Sequence, residues 1–320
     1  MQKLRTAVVG VGYLGKFHAQ KYAVLPSSHL VAVCDTHFET ASHLAEQLGI
    51  NAYADYRALT GLVDAVSIVT PTPSHHAIAR FFLEQGIHVL LEKPIAVTLE
   101  EAEDLIQIAR RQKAVLQIGH IERFNNVIQG VKPMLTNPRF IESLRLAPFK
   151  MRGSEVSVIL DMMIHDIDII QSIVQSPIRA IDASGAAVLS PFLDIANARI
   201  EFNNGCIANL TANRINAKIS RRLHIFQHDA LFNLDLQHKK LTIQRKGEQE
   251  MLPGIPMMIR DKISYPKDDP LREEIAAFLT AIIENKPPLV SGEDGKQALQ
   301  TALQITAAIE KNHARAAVYA

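Results

Sequence analysis

Cysteine is nearly absent: Cys34 and Cys206 are the only two in 320 residues, and they stand in unrelated contexts. That excludes a disulfide framework and a paired-cysteine metal site, so no metal is expected. Excess charge is missing too, because 34 basic and 33 acidic residues leave a formal net charge of +1. No global field marks a nucleic-acid or membrane partner, and any anion site has to be built locally. No uncharged apolar run reaches the length that spans a bilayer. Met1-Gln2-Lys3-Leu4-Arg5 runs straight into an apolar stretch with no small-residue cleavage site after it. No signal peptide and a cytoplasmic location are therefore expected. Internal repeats and low-complexity segments are lacking as well. What is present is an ordinary globular composition, 48% hydrophobic and 21% charged, at a length that favours two domains.

The first pattern with chemical content follows the apolar run Leu4 to Val9. Gly10, Gly12 and Gly15 stand as G-x-G-x-x-G, with Tyr13 and Leu14 inside it and a helix-like stretch through Val24 after it. After a strand and before a helix, this spacing marks a dinucleotide site. The first glycine permits a tight turn, the second lets backbone approach a pyrophosphate, and the third lets helix and strand pack closely. The helix N-terminus adds N–H groups and a favourable dipole for the phosphates. A second strand, Leu30 to Cys34, ends at Asp35, twenty residues after Gly15, where a ribose-binding acid belongs. Asp35 repels a 2′-phosphate, and Thr36-His37-Phe38-Glu39 offers no Arg or Lys to hold one, so NAD is expected rather than NADP.

Strands and helices go on alternating to Gly119, which argues for a doubly wound parallel sheet. Thr70, Thr72 and His75 follow the strand Ala65 to Val69, near the expected nicotinamide half. The threonines fit equally well as turn-formers beside Pro71 and Pro73. The run His88 to Leu91 leads into Glu92-Lys93-Pro94-Ile95, before a helical pattern near Thr98. In open parallel sheets ligands sit outside the carboxyl ends of strands. A lysine there can be partly desolvated, which fits it to exchange protons with a reacting oxygen. Proline after it restricts the backbone and can hold a cis bond. Taken alone, these residues also fit a solvated surface turn.

From Ser157 to Ser172 most positions are apolar, so this element is predicted to be buried. Asp161, His165, Asp168 and Ser172 step by four, three and four, which puts them on one face of a helix. A polar stripe on a buried helix must be satisfied somewhere. A histidine near its ordinary pKa can take a proton at neutral pH, and Asp161 could orient it or contact substrate.

Gly10 to Gly15, Glu92-Lys93-Pro94 and the Asp161, His165, Asp168 spacing together resemble the glucose–fructose oxidoreductase / inositol dehydrogenase / rhizopine catabolism (Gfo/Idh/MocA) family, over essentially the whole chain. The resemblance implies an N-terminal Rossmann domain over residues 1–120. It implies next an α/β domain over residues 121–320, with a large, mostly antiparallel sheet for substrate binding and oligomerisation. It implies an NAD-dependent dehydrogenase in which Lys93 and His165 face the nicotinamide across the substrate, with Asp161 beside them and Glu92 and Lys93 near the cofactor. Met163 stands where the wider family has glycine. Gly119 to Asn125 and Ala147 to Gly153 are similar to one branch of that family. That branch oxidises UDP-N-acetylglucosamine at C3 for lipid A synthesis and passes the 3-keto sugar to an aminotransferase. A nucleotide-sugar substrate is thereby implied, with Arg123, Phe124, Asn125 and Arg152 as binding residues alongside Asp161 and His165.

The remainder alternates like strands, with Asn203-Asn204-Gly205 as a hairpin signal. Two amphipathic helices follow, Asp269 to Ile283 and Gly295 to Lys311. Met257-Met258 reads as loop or interface packing. With no third domain to cover the broad sheet, a second copy of the chain is expected, as a dimer or tetramer. Arg123, Lys150, Arg152, Arg214, Lys218, Arg221 and Arg222 are the candidates to hold a diphosphate. For Arg221 and Arg222 a solvated sheet face is the favoured reading. Two rivals stand beside the nucleotide-sugar reading. A dehydrogenase of a free polyol of the inositol type would need no diphosphate site. A non-catalytic dinucleotide-sensing regulator would have no need of Lys93 and His165.

Overall fold

The computed structural model describes residues 3–151 and 153–318, so Arg152 lies outside the described residues. Residues up to Ile121 together with Asp269–Leu299 form one compact unit, and Glu122–Asp268 with Gln300–Ala320 form the other. The break at 121 coincides with the change of periodicity, but the chain returns to the first unit, which a division into 1–120 and 121–320 does not foresee. The cause is the apolar stripe of helix α7 (Pro270–Ile283). Leu271, Ile275, Phe278 and Leu279 join a core with Val8, Ala19, Tyr22 and Val33. Burying such side chains contributes roughly 1.5–3 kcal/mol each.

The first unit holds six parallel strands: β1 (Leu4–Val9), β2 (Ser28–Cys34), β3 (Asn51–Tyr53), β4 (Ala65–Ile68), β5 (His88–Glu92) and β6 (Leu116–Gly119). Their spatial order is β3-β2-β1-β4-β5-β6. The order reverses between β1 and β4, and a dinucleotide binds at such a switch point. All four residues of β4 are buried, as expected of a strand covered on both faces. Helices α1 (Gly15–Val24), α2 (Phe38–Leu48), α3 (His75–Glu84) and α4 (Leu99–Gln112) alternate with the strands. Thr98 and Glu101 form a reciprocal capping box, which starts α4 where the sequence places it. Strand β3 is absent from the sequence reading, because three residues at a sheet edge carry no periodic signal.

The second unit holds eight strands: β7 (Phe140–Leu146), β8 (Ile178–Ala186), β9 (Ile195–Phe202), β10 (Ile207–Asn213), β11 (Ser220–Phe226), β12 (Ala230–Asp235), β13 (Lys240–Leu252) and β14 (Ile255–Ser264). Their order is β14-β13-β12-β11-β7-β10-β9-β8, antiparallel except where β7 meets β10. Burial alternates along β9 and β10, the signature of a sheet with one packed face. The hairpin between them turns at Gly205, whose φ of 83° lies in the left-handed region that glycine tolerates. Met257 and Met258 belong to strand β14, where Met258 pairs with Lys246, and not to a loop. Helices α5 (Asn126–Val131) and α6 (Ile164–Val174) lie in this unit, and α8 (Gly292–Val318) closes the chain. A π turn, Ile159–Met163, immediately precedes α6, and α6 packs on β7 and β10. No helix among the described residues is long and apolar enough to cross a membrane.

Candidate active site

The glycine loop follows β1 and opens α1, at the switch point. A Cβ on Gly10 would sit 2.6 Å from the carbonyl oxygen of Val69, and one on Gly15 would sit 1.8 Å from the carbonyl oxygen of Gly10. Both positions therefore need glycine for internal packing. A Cβ on Gly12 would meet no protein atom within 4 Å, so the loop leaves open space there. This is the pattern a pyrophosphate requires, with a tight turn around a site that backbone can approach. Tyr13 is mostly exposed and stacks edge-on against Phe17, while Leu14 stands at the N-cap of α1.

Asp35 stands just beyond β2. Its Oδ2 accepts from the Val11 backbone N–H at 2.8 Å and its Oδ1 from that of His37 at 2.9 Å. The carboxylate thus braces the loop and keeps lone pairs for ribose hydroxyls, while its charge opposes a 2′-phosphate. Asp35→Ala with His37→Arg is expected to shift the kcat/KM ratio toward NADP and to weaken NAD binding. Hydrogen bonds to a charged group contribute about 1.5–3 kcal/mol, so at least tenfold is expected. Equal use of both cofactors by the unaltered chain would refute the assignment.

Thr70 and Thr72 lie in the turn after β4, and the Thr70 hydroxyl accepts from that of Ser74 at 2.8 Å. His75 is buried, with Nδ1 2.9 Å from the carbonyl oxygen of Pro94 and Nε2 2.8 Å from that of Thr70. Burial holds its pKa below the ordinary value, against the pull of both carbonyls. The ring braces the β4 turn against the turn after β5, so its contribution to cofactor binding is to shape the backbone.

At that second turn Glu92 ends β5, and the Lys93–Pro94 bond is cis. Glu92 Oε2 accepts from the Lys93 backbone N–H at 3.3 Å, and Oε1 lies 3.2 Å from His18 Nε2. Burial alone would raise the Glu92 pKa. The hydrogen bond from His18 and the positive charges of His18, Lys93 and His75 bring it below the ordinary value instead. A Cβ at Gly119 would come within 3.0 Å of this carboxylate, so the glycine that ends β6 makes room for it. His18 is missing from the sequence reading. The signal was available, because His18 shares a buried face of α1 with Gly15, Ala19 and Tyr22.

In the second unit the expected polar stripe divides. Asp161 lies in the π turn and His165 in the first turn of α6, both half-buried, whereas Asp168 and Ser172 are buried. Spacing of four, three and four assumes an unbroken α-helix, and the wider π turn shifts that phase. Met163 is fully buried, and the close backbone approach to Asp161 occurs at Gly153. With a φ of 84°, a Cβ there would lie 2.9 Å from Asp161 Oδ2. Arg214 holds this loop by donating to the carbonyls of Gly153 at 2.8 Å and Val156 at 2.7 Å. Its Nε donates to Asp194 at 2.8 Å.

The stretch Glu122 to Asn125 is also buried. Arg123 donates from Nε and Nη2 to Asp168 at 2.7 and 3.0 Å, with its side chain 7% exposed. Phe124 packs in the interior, and Asn125 caps α5 while its amide donates to Glu122 at 3.1 Å. Arg145 pairs with Asp166 through two bonds of 2.8 and 2.7 Å and with Glu122 at 3.0 Å. The structure thus places Arg123 and Arg214 in buried ion pairs, where a sequence reading sees only basic residues. Lys150, Lys218, Arg221 and Arg222 are exposed, with Arg221 also bonded to Glu122.

Comparison with known proteins agrees with this layout. Residues 4–120 match the oxidoreductase family model with the NAD-binding Rossmann fold, and residues 146–230 match the GFO/IDH/MocA C-terminal domain. The chain is 40% identical over 311 residues to the UDP-N-acetylglucosamine 3-dehydrogenase of Acidithiobacillus ferrooxidans, spanning 97% of this chain and 98% of the relative. A solved structure of that enzyme superposes with a TM-score of 0.92, covering 97% of this chain and 99% of the other. The scyllo-inositol 2-dehydrogenase (NAD(+)) of Bacillus subtilis is 25% identical over 327 residues, 95% of this chain and 93% of the relative. Scyllo-inositol dehydrogenase from Lactobacillus casei, solved with bound NAD(H) and scyllo-inositol, shares the fold at 24% identity and a TM-score of 0.81, over 97% of this chain and 98% of the other. Two matching domain models and a relative aligned over nearly its whole length make this chain a member of the GFO/IDH/MocA family of NAD-dependent oxidoreductases.

Proposed function

We propose that the chain oxidises the C3 hydroxyl of UDP-N-acetylglucosamine to the 3-keto sugar. The observation that carries this is the near-full-length 40% identity to an enzyme of that name, against 25% for an inositol dehydrogenase. NAD, when bound, accepts the hydride from the reacting carbon. His165 takes the hydroxyl proton as general base, and the Lys93 ammonium bonds the same oxygen and stabilises the developing alkoxide. Asp161 orients the imidazole or contacts the sugar. Uridine diphosphate supplies binding energy remote from the reacting carbon, which orients that carbon for transfer. Since Arg123 is held by Asp168, the exposed Lys150 and Lys218 are the better candidates for the diphosphate, with Arg152 beside Gly153. The enzyme acts in the cytoplasm as a homo-oligomer joined through its second sheet.

Oxidation of a secondary alcohol by NAD releases a proton and is uphill near neutral pH, so a following step must consume the ketone. We place an aminotransferase there, upstream of lipid A. NADH is expected to accumulate little with the enzyme alone and well beyond that level when a glutamate-dependent aminotransferase is added. Calorimetric titration of the NADH-loaded protein with UDP and with UDP-N-acetylglucosamine tests the substrate. Heat from both is expected. Silence from both, with turnover of a free polyol, would move the reading to the inositol type.

A further inference from the structure

Helix α7 carries a residue out of keeping with its stripe. Leu271, Ile275, Phe278 and Leu279 are buried apolar side chains, and Glu274, on the same face, is 0% exposed. Neither of its carboxyl oxygens has a hydrogen-bond partner among the described residues. Ligand atoms of Glu274, Glu92 and His18 all lie within 4.8 Å of one another. The neighbouring elements carry few other charges. From α1 come His18 and the Tyr22 hydroxyl, with Lys21 paired to Asp269 at the start of α7. From β5 come Glu92 and Lys93, and from α3 comes His75, whose charge acts on Glu92. From β6, Gln117 donates only to the backbone carbonyl of Glu274.

Two carboxylates this close in an apolar interior cannot both stay ionised without a cation between them. The asymmetry of their surroundings decides which gives way. Glu92 accepts from the Lys93 N–H, lies in hydrogen-bond reach of His18 Nε2, and feels the charge of Lys93. Glu274 has no such support. We propose that Glu274 is held as a neutral carboxylic acid facing Glu92, and that it is a positioning residue for Lys93, acting through the Glu92 carboxylate that accepts from the Lys93 N–H. Burial first, and then the charge of Glu92, hold the Glu274 carboxyl well above the ordinary carboxylate range, in line with this. The link to Lys93 rests on the catalytic role proposed above, whereas the protonation state does not.

Two variants test it. Glu274→Gln keeps a neutral donor of the same shape, and Glu274→Leu keeps the volume without a donor. With Gln, turnover is expected to stay close to that of the unaltered enzyme. With Leu, kcat is expected to fall roughly tenfold, with the KM for NAD unchanged, as one hydrogen bond to a charged group is lost. Equal turnover of the two variants would show mere packing and overturn the positioning role. A loss with Gln as large as with Leu would show that the carboxylate itself is needed, and would overturn the neutral acid.

The stability arm needs no assay of turnover. A carboxyl whose folded pKa is raised adds stability that is fully present below its unfolded value and is lost as pH rises toward the folded one. The melting temperature of Glu274→Gln, relative to the unaltered chain, is therefore expected to rise steadily from about pH 5 to about pH 9. A flat difference, or a falling one, would overturn the proposal. Stoichiometric metal in the purified protein, with destabilisation by chelator, would do so too, because a cation held by His18, Glu92 and Glu274 would replace the proton. A rising difference with unaltered kinetics in the Leu variant would keep the neutral acid and remove only its link to Lys93.

Discussion

His165→Ala and Lys93→Ala are each expected to lower turnover roughly a hundred- to ten-thousandfold, the usual contribution of a general acid–base group, while NAD affinity stays nearly unchanged. His165 sits half-buried in the first turn of α6, and nothing in the glycine loop or at Asp35 depends on it. Lys93 follows the last residue of β5, with its backbone fixed by Glu92. If both act on one hydroxyl, each loss exposes the same uncatalysed proton transfer. The double variant should then lose much less than the product of the two single losses. Steady-state turnover beside an NAD binding isotherm reads both quantities. Near-full activity in either single variant would remove that residue from the reaction. Fully multiplicative losses would place the two in separate steps.

Asp168→Ala is expected to destabilise the chain by about 3–5 kcal/mol, because removing one partner leaves a buried charge uncompensated. Asp168 is 1% exposed, and both its oxygens are taken by Arg123. A simultaneous Arg123→Met and Asp168→Leu should recover most of the loss, since a well-packed apolar pair is often neutral or stabilising relative to a buried ion pair. The midpoint of urea unfolding, at unchanged slope, is the measurement. The same series separates two roles for Arg123. A structural arginine costs stability in Arg123→Ala and leaves UDP affinity nearly intact, whereas a diphosphate ligand does the reverse. A loss below about 1 kcal/mol in Asp168→Ala, within the range of exposed pairs, would show that the pair is solvated.

Much of this protein was legible in one dimension. Gly10, Gly12 and Gly15 before a helix, with Asp35 ending the next strand, define the cofactor site. Alternation of apolar runs defines the first sheet, and Thr98 with Glu101 marks the start of α4. Each of these rests on residues within a few positions of one another, or on a fixed interval along one βαβ unit. Other features depend on partners that sequence spacing does not name. Arg123 reads as a phosphate ligand until Asp168, 45 residues on, takes its guanidinium. Arg145 meets Glu122 across 23 residues and Asp166 across 21. Glu274 reads as one more charge on an amphipathic helix until α7 returns to the first unit and brings it near Glu92. The physical reason is common to all three. A side chain's type sets what it can bond, but its protonation and its partner follow from which groups share its burial, and tertiary packing alone determines that.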